Sequence, residues 1–202
     1  MQYSPGIKLE HEFFQRPAIE LARELIGKIL VRRRRGKEYR ARIVETEAYV
    51  GTHDLASHAA RGRTRRTEVM FGPGGHAYVY FIYGVHDMFN IVASVSGDAQ
   101  AVLVRAGEAV DGRKVDLSGP GKLAQRMFIS RDLNGVSLMG EEIFLVDAGG
   151  ARPRILAGPR VGVDYAQEWK DQPLRFMDRD SRAVSKPWPA RMKAARKKRA
   201  AS

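Results

Sequence analysis

Apolar and polar positions along the chain fall into two periods, and the switches between them predict the elements. From Phe13 to Ile26 the apolar residues recur at helical spacing, with Pro17 suited to a first turn and Gly27 as a stop. "KILVRR" then reads as a strand, "RRGKE" as a turn, and "YRARIVETEAYV" as a second strand closing a hairpin. Residues 51–75 lose periodicity and are rich in Gly, Thr and Arg, with room for a short helix over 54–60. "HAYVYFIYG" is an apolar, aromatic strand, and "MFNIVASV" and "QAVLVRAGEAV" are two more, parted by the turn signal "SGD". "SGPGKLAQRMFI" predicts a helix opened by Ser118, and "EIFLVDAG" and "PRILAGPRVGVDYA" supply late strands. Short strands joined by hairpins, with helices at a few places, predict an α+β fold. It is a single mixed domain around a curved, mainly antiparallel sheet with flanking helices. The domain is expected over residues 1–190, with residues 191–202 as a basic, disordered tail.

One stretch breaks the pattern of an ordinary strand. In "ETEAY" two carboxylates stand one residue apart, so alternation places Glu45, Glu47 and Tyr49 on one side of the strand. Like charges side by side on a sheet repel, and glutamate is a poor strand residue. Either the pair is structural, with Glu45 held by an arginine such as Arg42 or Arg105 or turned away at a bulge, or it serves chemistry.

Charge changes the picture more than composition does. With 35 Lys and Arg against 23 Asp and Glu, the net charge is +12, and the last twelve residues carry six positives and no acid, leaving +6 for residues 1–190. A basic body of this kind attracts polyanions, of which nucleic acid is the commonest inside cells. For the tail alone, a phosphate-binding arm and a merely solubilising end both stand. The chain has no cysteine, which excludes disulfides and thiolate metal sites. Neither a secretory signal nor an apolar run long enough to span a bilayer is visible, so a cytoplasmic, nucleoid-associated protein is expected, without membrane contact.

Candidate chemistry gathers in the middle of the chain. Arg61, Arg63, Arg65 and Arg66 crowd six residues and read as a phosphate grip. Tyr78 and Tyr80 share a face of the aromatic strand, and Tyr78 is expected in the core. Tyr83, beside Gly84, is badly placed for burial and in a basic protein is a ring suited to wedging between bases. "SGPGKL" offers backbone amides and Lys122 at a helix start, which suits an anion, but the spacing of a P-loop is absent. His53, His58, His76 and His86 show no zinc-like spacing.

Taken together, "ARIVETEAYVG", His58, "YVYFIYG", Asn90, "AVLVRA", "LSGPGKLAQ", "RVGV", "EW" and "PLRF" resemble, in order and spacing, the alkyladenine (3-methyladenine) DNA glycosylase family over about residues 10–180. The resemblance implies a monofunctional DNA glycosylase of base excision repair. Such an enzyme flips alkylated or deaminated purines out of double-stranded DNA and leaves an abasic site. The implied lesions are 3-methyladenine, with 7-methylguanine, hypoxanthine and ethenoadenine as further candidates. It also implies roles residue by residue. Glu47 matches the general base that activates water, and Arg105 an arginine that holds Glu47 and that water. Tyr49, His58 and Tyr80 match the walls of the base pocket, Asn90 a residue that rejects guanine, and Tyr83 the ring that replaces the flipped nucleotide. Val85 adjoins Tyr83 and is expected on the DNA with Arg61, Arg63, Arg65, Arg66 and Lys122. No metal or other cofactor, no strand cleavage and a monomeric state are implied. Val85, Asp87 and Ala59 depart from the family's usual residues and bear on substrate range. Two other classes compete: a non-catalytic DNA- or RNA-binding protein, and a metal-dependent nuclease built on Glu45, Glu47, Asp54 and His58.

Overall fold

A computed structural model describes residues 6–82, 84–188 and 192. In chain order these form β1 (Ile7–Lys8), α1 (His11–Phe14), α2 (Ala18–Glu24), β2 (Ile29–Arg34), β3 (Lys37–Val50), β4 (Ala77–Ile82), β5 (His86–Ala93), β6 (Gln100–Ala109), α3 (Pro120–Arg126), β7 (Ile143–Asp147), β8 (Ile155–Gly158) and β9 (Arg175–Asp178). Short 3-10 turns lie at His58–Arg61, Glu68–Phe71, Arg131–Leu133 and Gln167–Lys170. The strands make one sheet in the order β1-β7-β2-β3-β6-β5-β4, with β9 joining β3 and β8 joining β9, and every pairing is antiparallel. The sequence-based expectation of an α+β domain on an antiparallel sheet therefore holds. Among the described residues no helix is long and apolar enough to cross a membrane.

Several elements differ from the sequence pattern for local reasons. The helix expected over Phe13–Ile26 is two helices, because Pro17 takes an extended conformation (φ −54°, ψ 147°) and caps the second rather than continuing the first. The stop at Gly27 holds, at φ +94°. The turn of the β2–β3 hairpin puts both Arg35 (φ 50°) and Gly36 (φ 71°) in the left-handed region, the geometry that follows the twist of two strands. The helix expected at 54–60 is instead the 3-10 turn at His58–Arg61. α3 is capped by Gly119 with Pro120 in its first turn, while the Ser118 hydroxyl is spent on Asp116. Only Ile155–Gly158 of the late stretch is a strand. Residues 159–166 form a loop whose Val163 and Ala166 pack on Ala56 and Tyr49. β1 and β9, two and four residues long, were too short to stand out as periods.

The main core lies between the sheet and the helices. Phe14, Leu21 and Leu25 from α1, α2 and the residue after it, and Leu123 from α3, meet Ile43, Phe89, Ile91, Val102 and Val104 from the sheet, all buried. Burying each such side chain contributes roughly 1.5–3 kcal/mol. Ala41 and Ile43 of β3 face this core. Strict alternation would send Glu45 and Glu47 after them into the same apolar layer.

A pair of compensating bulges prevents this. Register runs Ile43 with Gly107, Glu45 with Ala106, then Thr46 with Val104, so β3 gains a residue at Val44 and β6 gains one at Arg105. A one-residue slip flips every later side chain to the other face. Beyond the bulge it is Ala48 that enters the helix-side core and Thr46 whose hydroxyl bonds the Ala22 carbonyl of α2. Glu45, Glu47 and Tyr49 turn to the opposite face, where Arg105 meets them.

Candidate active site

On that opposite face the sheet carries a cavity of about 300 Å³. Tyr49 from β3, Tyr78 and Tyr80 from β4, Asn90 from β5, and Leu103 and Arg105 from β6 line it. His58 and Met70 from the connection before β4 and Val161–Val163 from the loop after β8 complete the wall. Its lining is aromatic and aliphatic with a few polar groups, as befits a slot for a flat ring.

Glu47 stands directly behind this wall, fully buried and in polar company. One carboxylate oxygen accepts the Val161 N–H at 2.8 Å and lies 3.3 Å from Arg105 Nη1, and the other accepts the Tyr49 hydroxyl at 3.0 Å. All three partners line the cavity. A carboxylate has about four acceptor directions, so two hydrogen bonds and the ion pair with Arg105 leave one to spare. Burial, and then the charge of Glu47, push the Tyr49 phenol well above its usual pKa, which keeps it a donor. Burial works against the charge of Arg105, but Glu47 and Glu45 outweigh it and its pKa is raised.

Six buried charges make up this floor. Glu45 is bonded by Arg105 and by Arg175 of β9, at 2.9 and 2.7 Å. Asp54 takes both ends of the Arg160 guanidinium, at 2.5 and 2.8 Å, and Arg160 also donates to the Ala48 carbonyl and lies 4.8 Å from the centre of the Tyr49 ring. Three acids and three arginines thus neutralise one another. Arg42, the other partner considered for Glu45, pairs with Glu108 and Asp178 instead. The carboxylates of the nuclease alternative are committed to arginines, and among the described residues no three His, Asp or Glu converge as metal ligands.

His58 reaches the cavity from its 3-10 turn. Its Nδ1 is 2.9 Å from the Tyr78 hydroxyl, and its ring meets Tyr80 edge-on at 4.5 Å. Arg66 lies over Tyr80 at 5.1 Å and approaches His58 Nε2 at 3.4 Å. Burial first, then Arg66 and Arg61, lower the His58 pKa from 6.5 to about 4. The Asn90 side-chain nitrogen is held by the Tyr78 and Met88 carbonyls, which fixes the amide in the wall. Tyr78 is buried in a cluster with Met70 and Val92, as expected, yet its hydroxyl and ring edge also serve the cavity.

The other expected residues spread around the rim. Arg61 and Arg65 are exposed, while Arg63 is paired with Glu68. Lys122 is paired with Asp116, and α3 has only seven residues. Val85 is 66% exposed at the tip of the β4–β5 hairpin. Tyr83 lies outside the described residues, as does the tail apart from Met192, which is buried against Val44, Ala106 and Met177. Asp87 pairs with Arg131, whose guanidinium lies 4.2 Å from the Phe81 ring, bracing that hairpin just behind its tip. Among the neighbours of the site that drew no role from the sequence are Arg160, Val161, Tyr165, Arg175 and Ser185. Of these Arg160, Val161 and Arg175 carried a signal, as members of "RVGV" and "PLRF" that were read as matches and given no role.

The family model for methylpurine-DNA glycosylase matches residues 12–182. A protein of Anaeromyxobacter sp. (strain Fw109-5) named "Putative 3-methyladenine DNA glycosylase" is 47% identical over 194 residues, covering 96% of this chain and 100% of its own. Proteins of the same name from Myxococcus xanthus and Methanocella arvoryzae are 48% and 45% identical, covering 93% and 90% of this chain and 98% and 97% of theirs. The chain belongs to the methylpurine-DNA glycosylase family.

Proposed function

We propose that this protein is a DNA glycosylase that receives a damaged purine, flipped from duplex DNA, in the cavity and hydrolyses its N-glycosidic bond with a water activated by Glu47. The observation that carries the reading is the Glu47 carboxylate, fixed by three groups that themselves wall an aromatic slot. Flipping costs a few kcal/mol, less for a damaged base, and stacking on Tyr49 and Tyr80 returns roughly 1–3 kcal/mol per base.

In the reaction, the water oxygen bonds to the anomeric carbon while the C–N bond breaks and its electron pair leaves with the base. Glu47 takes the water's proton through its spare acceptor direction and faces the positive charge that develops on the sugar. A purine methylated at N3 or N7 is already cationic, so it departs neutral without a general acid. The uncharged His58 in the wall lets that cation enter. Asn90, pinned by backbone carbonyls, discriminates against normal guanine. Among the described residues no lysine lines the cavity, which supports base release to an abasic site without cleavage of the strand. Tyr83 and Val85 engage the duplex where the nucleotide has left, and Arg61, Arg65 and Arg66 approach its phosphates. Arg63 and Lys122, both paired with acids, contribute less.

Glu47→Gln keeps the shape and an acceptor for the Val161 N–H. It is expected to abolish methylpurine release from dimethyl-sulfate-treated duplex, read by alkaline cleavage at abasic sites, while affinity for a duplex with an abasic-site analogue stays within about threefold. Release at the parental rate would take Glu47 out of the reaction.

A further inference from the structure

Ser185 lies outside the family match, which ends at residue 182, and far along the chain from the cavity walls. It is nonetheless buried beside the catalytic strand. Its backbone N–H and its hydroxyl both donate to the Glu45 carboxylate, at 2.6 and 2.9 Å. The same hydroxyl oxygen accepts Arg105 Nη2 at 3.3 Å. Arg105 Nε is on Glu45 at 2.9 Å, and Nη1 is left facing Glu47 at 3.3 Å. Each nitrogen of the Arg105 guanidinium therefore has its own anchor. A planar fork held at two corners has no freedom at the third.

What holds Ser185 is equally specific. Arg175 donates to the Ser185 carbonyl at 2.9 Å and to the Pro187 carbonyl at 2.8 Å, while its Nε joins Glu45. The Trp188 indole donates to the Val184 carbonyl at 2.9 Å, and Val184 packs with Met177, Val44 and Ala106. The segment Val184–Trp188 is thus a strap across the back of the two bulges.

We propose that Ser185, with Glu45 and Arg175 behind it, is a positioning residue for the reaction. It sets the plane of the Arg105 guanidinium, and through Arg105 the direction in which Glu47 presents its free acceptor to the water. Ser185 touches neither base nor sugar and acts through Arg105 alone. The alternative role for the same bonds is plain structural anchoring of the strap. The two differ in what happens when Arg105 is changed. A residue that acts through Arg105 has nothing left to position once the fork is gone, whereas an anchor costs the same in either background.

The inference rests on the proposed glycosylase reaction, and one experiment separates the two. Single-turnover release of methylpurines from dimethyl-sulfate-treated duplex is measured for the parent, Ser185→Ala, Arg105→Lys and the double variant, at a temperature where all are folded. Ser185→Ala is expected to slow release about tenfold, the size of losing a hydrogen bond to a charged group, with duplex affinity within about twofold. In the Arg105→Lys background the same change is expected to cost less than about twofold. Equal slowing in both backgrounds, or no slowing in either, overturns the inference while leaving the reaction intact. No release by the parent overturns the reaction itself. Should Ser185→Ala not fold, Arg175→Lys enters the same cycle. It keeps the charge but cannot reach Glu45, Ser185 and Pro187 together, and the same two patterns decide.

Discussion

His58 makes stability depend on pH by an amount that can be worked out. Its Nε2 faces the Arg66 guanidinium, which can only donate, so that nitrogen accepts and the neutral ring carries its proton on Nδ1 toward the Tyr78 hydroxyl. A second proton would sit on Nε2, pointing at a cation. Burial first, and then that conflict, hold the folded pKa down from 6.5 to about 4. The sign follows from proton counting. Between the two values the unfolded chain binds a proton that the folded chain refuses, so stability rises with pH across this window and is lost as pH falls from about 6.5 to about 4. The full shift corresponds to about 3 kcal/mol, and at pH 4.5, with partial solvent access, the loss is about 2 kcal/mol.

The assay is urea unfolding of the parent and of His58→Gln at pH 7.5 and 4.5. Glutamine is neutral at both and fits the same hydrogen-bond partners. Carboxylates that titrate in this range do so in both proteins and cancel in the comparison. The drop in unfolding free energy between the two pH values is expected to be about 2 kcal/mol smaller in the variant. Equal drops would mean that His58 titrates as a free imidazole. The account of a dry, cation-flanked pocket wall would then be wrong.

Two further predictions test the floor and the frame. Asp54→Ala leaves the buried Arg160 without its counter-charge and is expected to cost about 3–5 kcal/mol in urea unfolding, since Arg160 cannot turn to water. A loss below about 1 kcal/mol would show that the pair is solvated. Gly74→Ala would bring a Cβ to 2.5 Å from the Phe14 carbonyl oxygen and 2.8 Å from that of Ser94, backbone atoms that cannot rotate aside. It is expected to lose about 1–3 kcal/mol, read as a lowered melting temperature, and parental melting would refute the close approach.

Much of the fold was legible because long strands with a strong period announce themselves. β2 through β6 fall where alternation and turn residues put them, and the sharing of one side by Glu45, Glu47 and Tyr49 is found as expected. What alternation could not supply is why that side is the cavity and not the core. Counting twos from Ala41 puts the glutamates against Leu21 and Leu25, and only the extra residues at Val44 and Arg105 reverse it. A bulge is a relation between two strands, and neither sequence states it alone. Pro17 shows the same limit at short range, since a proline that suits a first turn equally suits a break. The roles of Arg175 and Ser185 were hidden for another reason, although Arg175 stands in a matched motif. Their meaning comes from contact with residues 130 and 140 positions earlier, and nothing in "PLRF" or "AVSK" signals a buried carboxylate.

The buried charges beneath the cavity argue against a purely structural reading of this region. Exchanging a buried ion pair for well-packed aliphatics of similar volume is commonly neutral, or stabilising by about 1–4 kcal/mol, so three such pairs do not persist for stability alone. Aliphatics cannot, however, fix the direction of a carboxylate oxygen. Here Glu45 and Ser185 fix two corners of Arg105, Arg105 and Val161 fix one oxygen of Glu47, and Tyr49 fixes the other. Arg160, locked to Asp54, immediately precedes Val161 and underlies Tyr49, so both remaining anchors of Glu47 rest on that second pair. In the proposed reaction direction is what the general base needs, because a water only slightly misplaced from the anomeric carbon reacts orders of magnitude more slowly. In that proposed reaction the six charges therefore form one device that sets the direction of the Glu47 carboxylate. The bulges at Val44 and Arg105 are what turn that carboxylate away from the helix-side core and to the face of the sheet that carries the cavity.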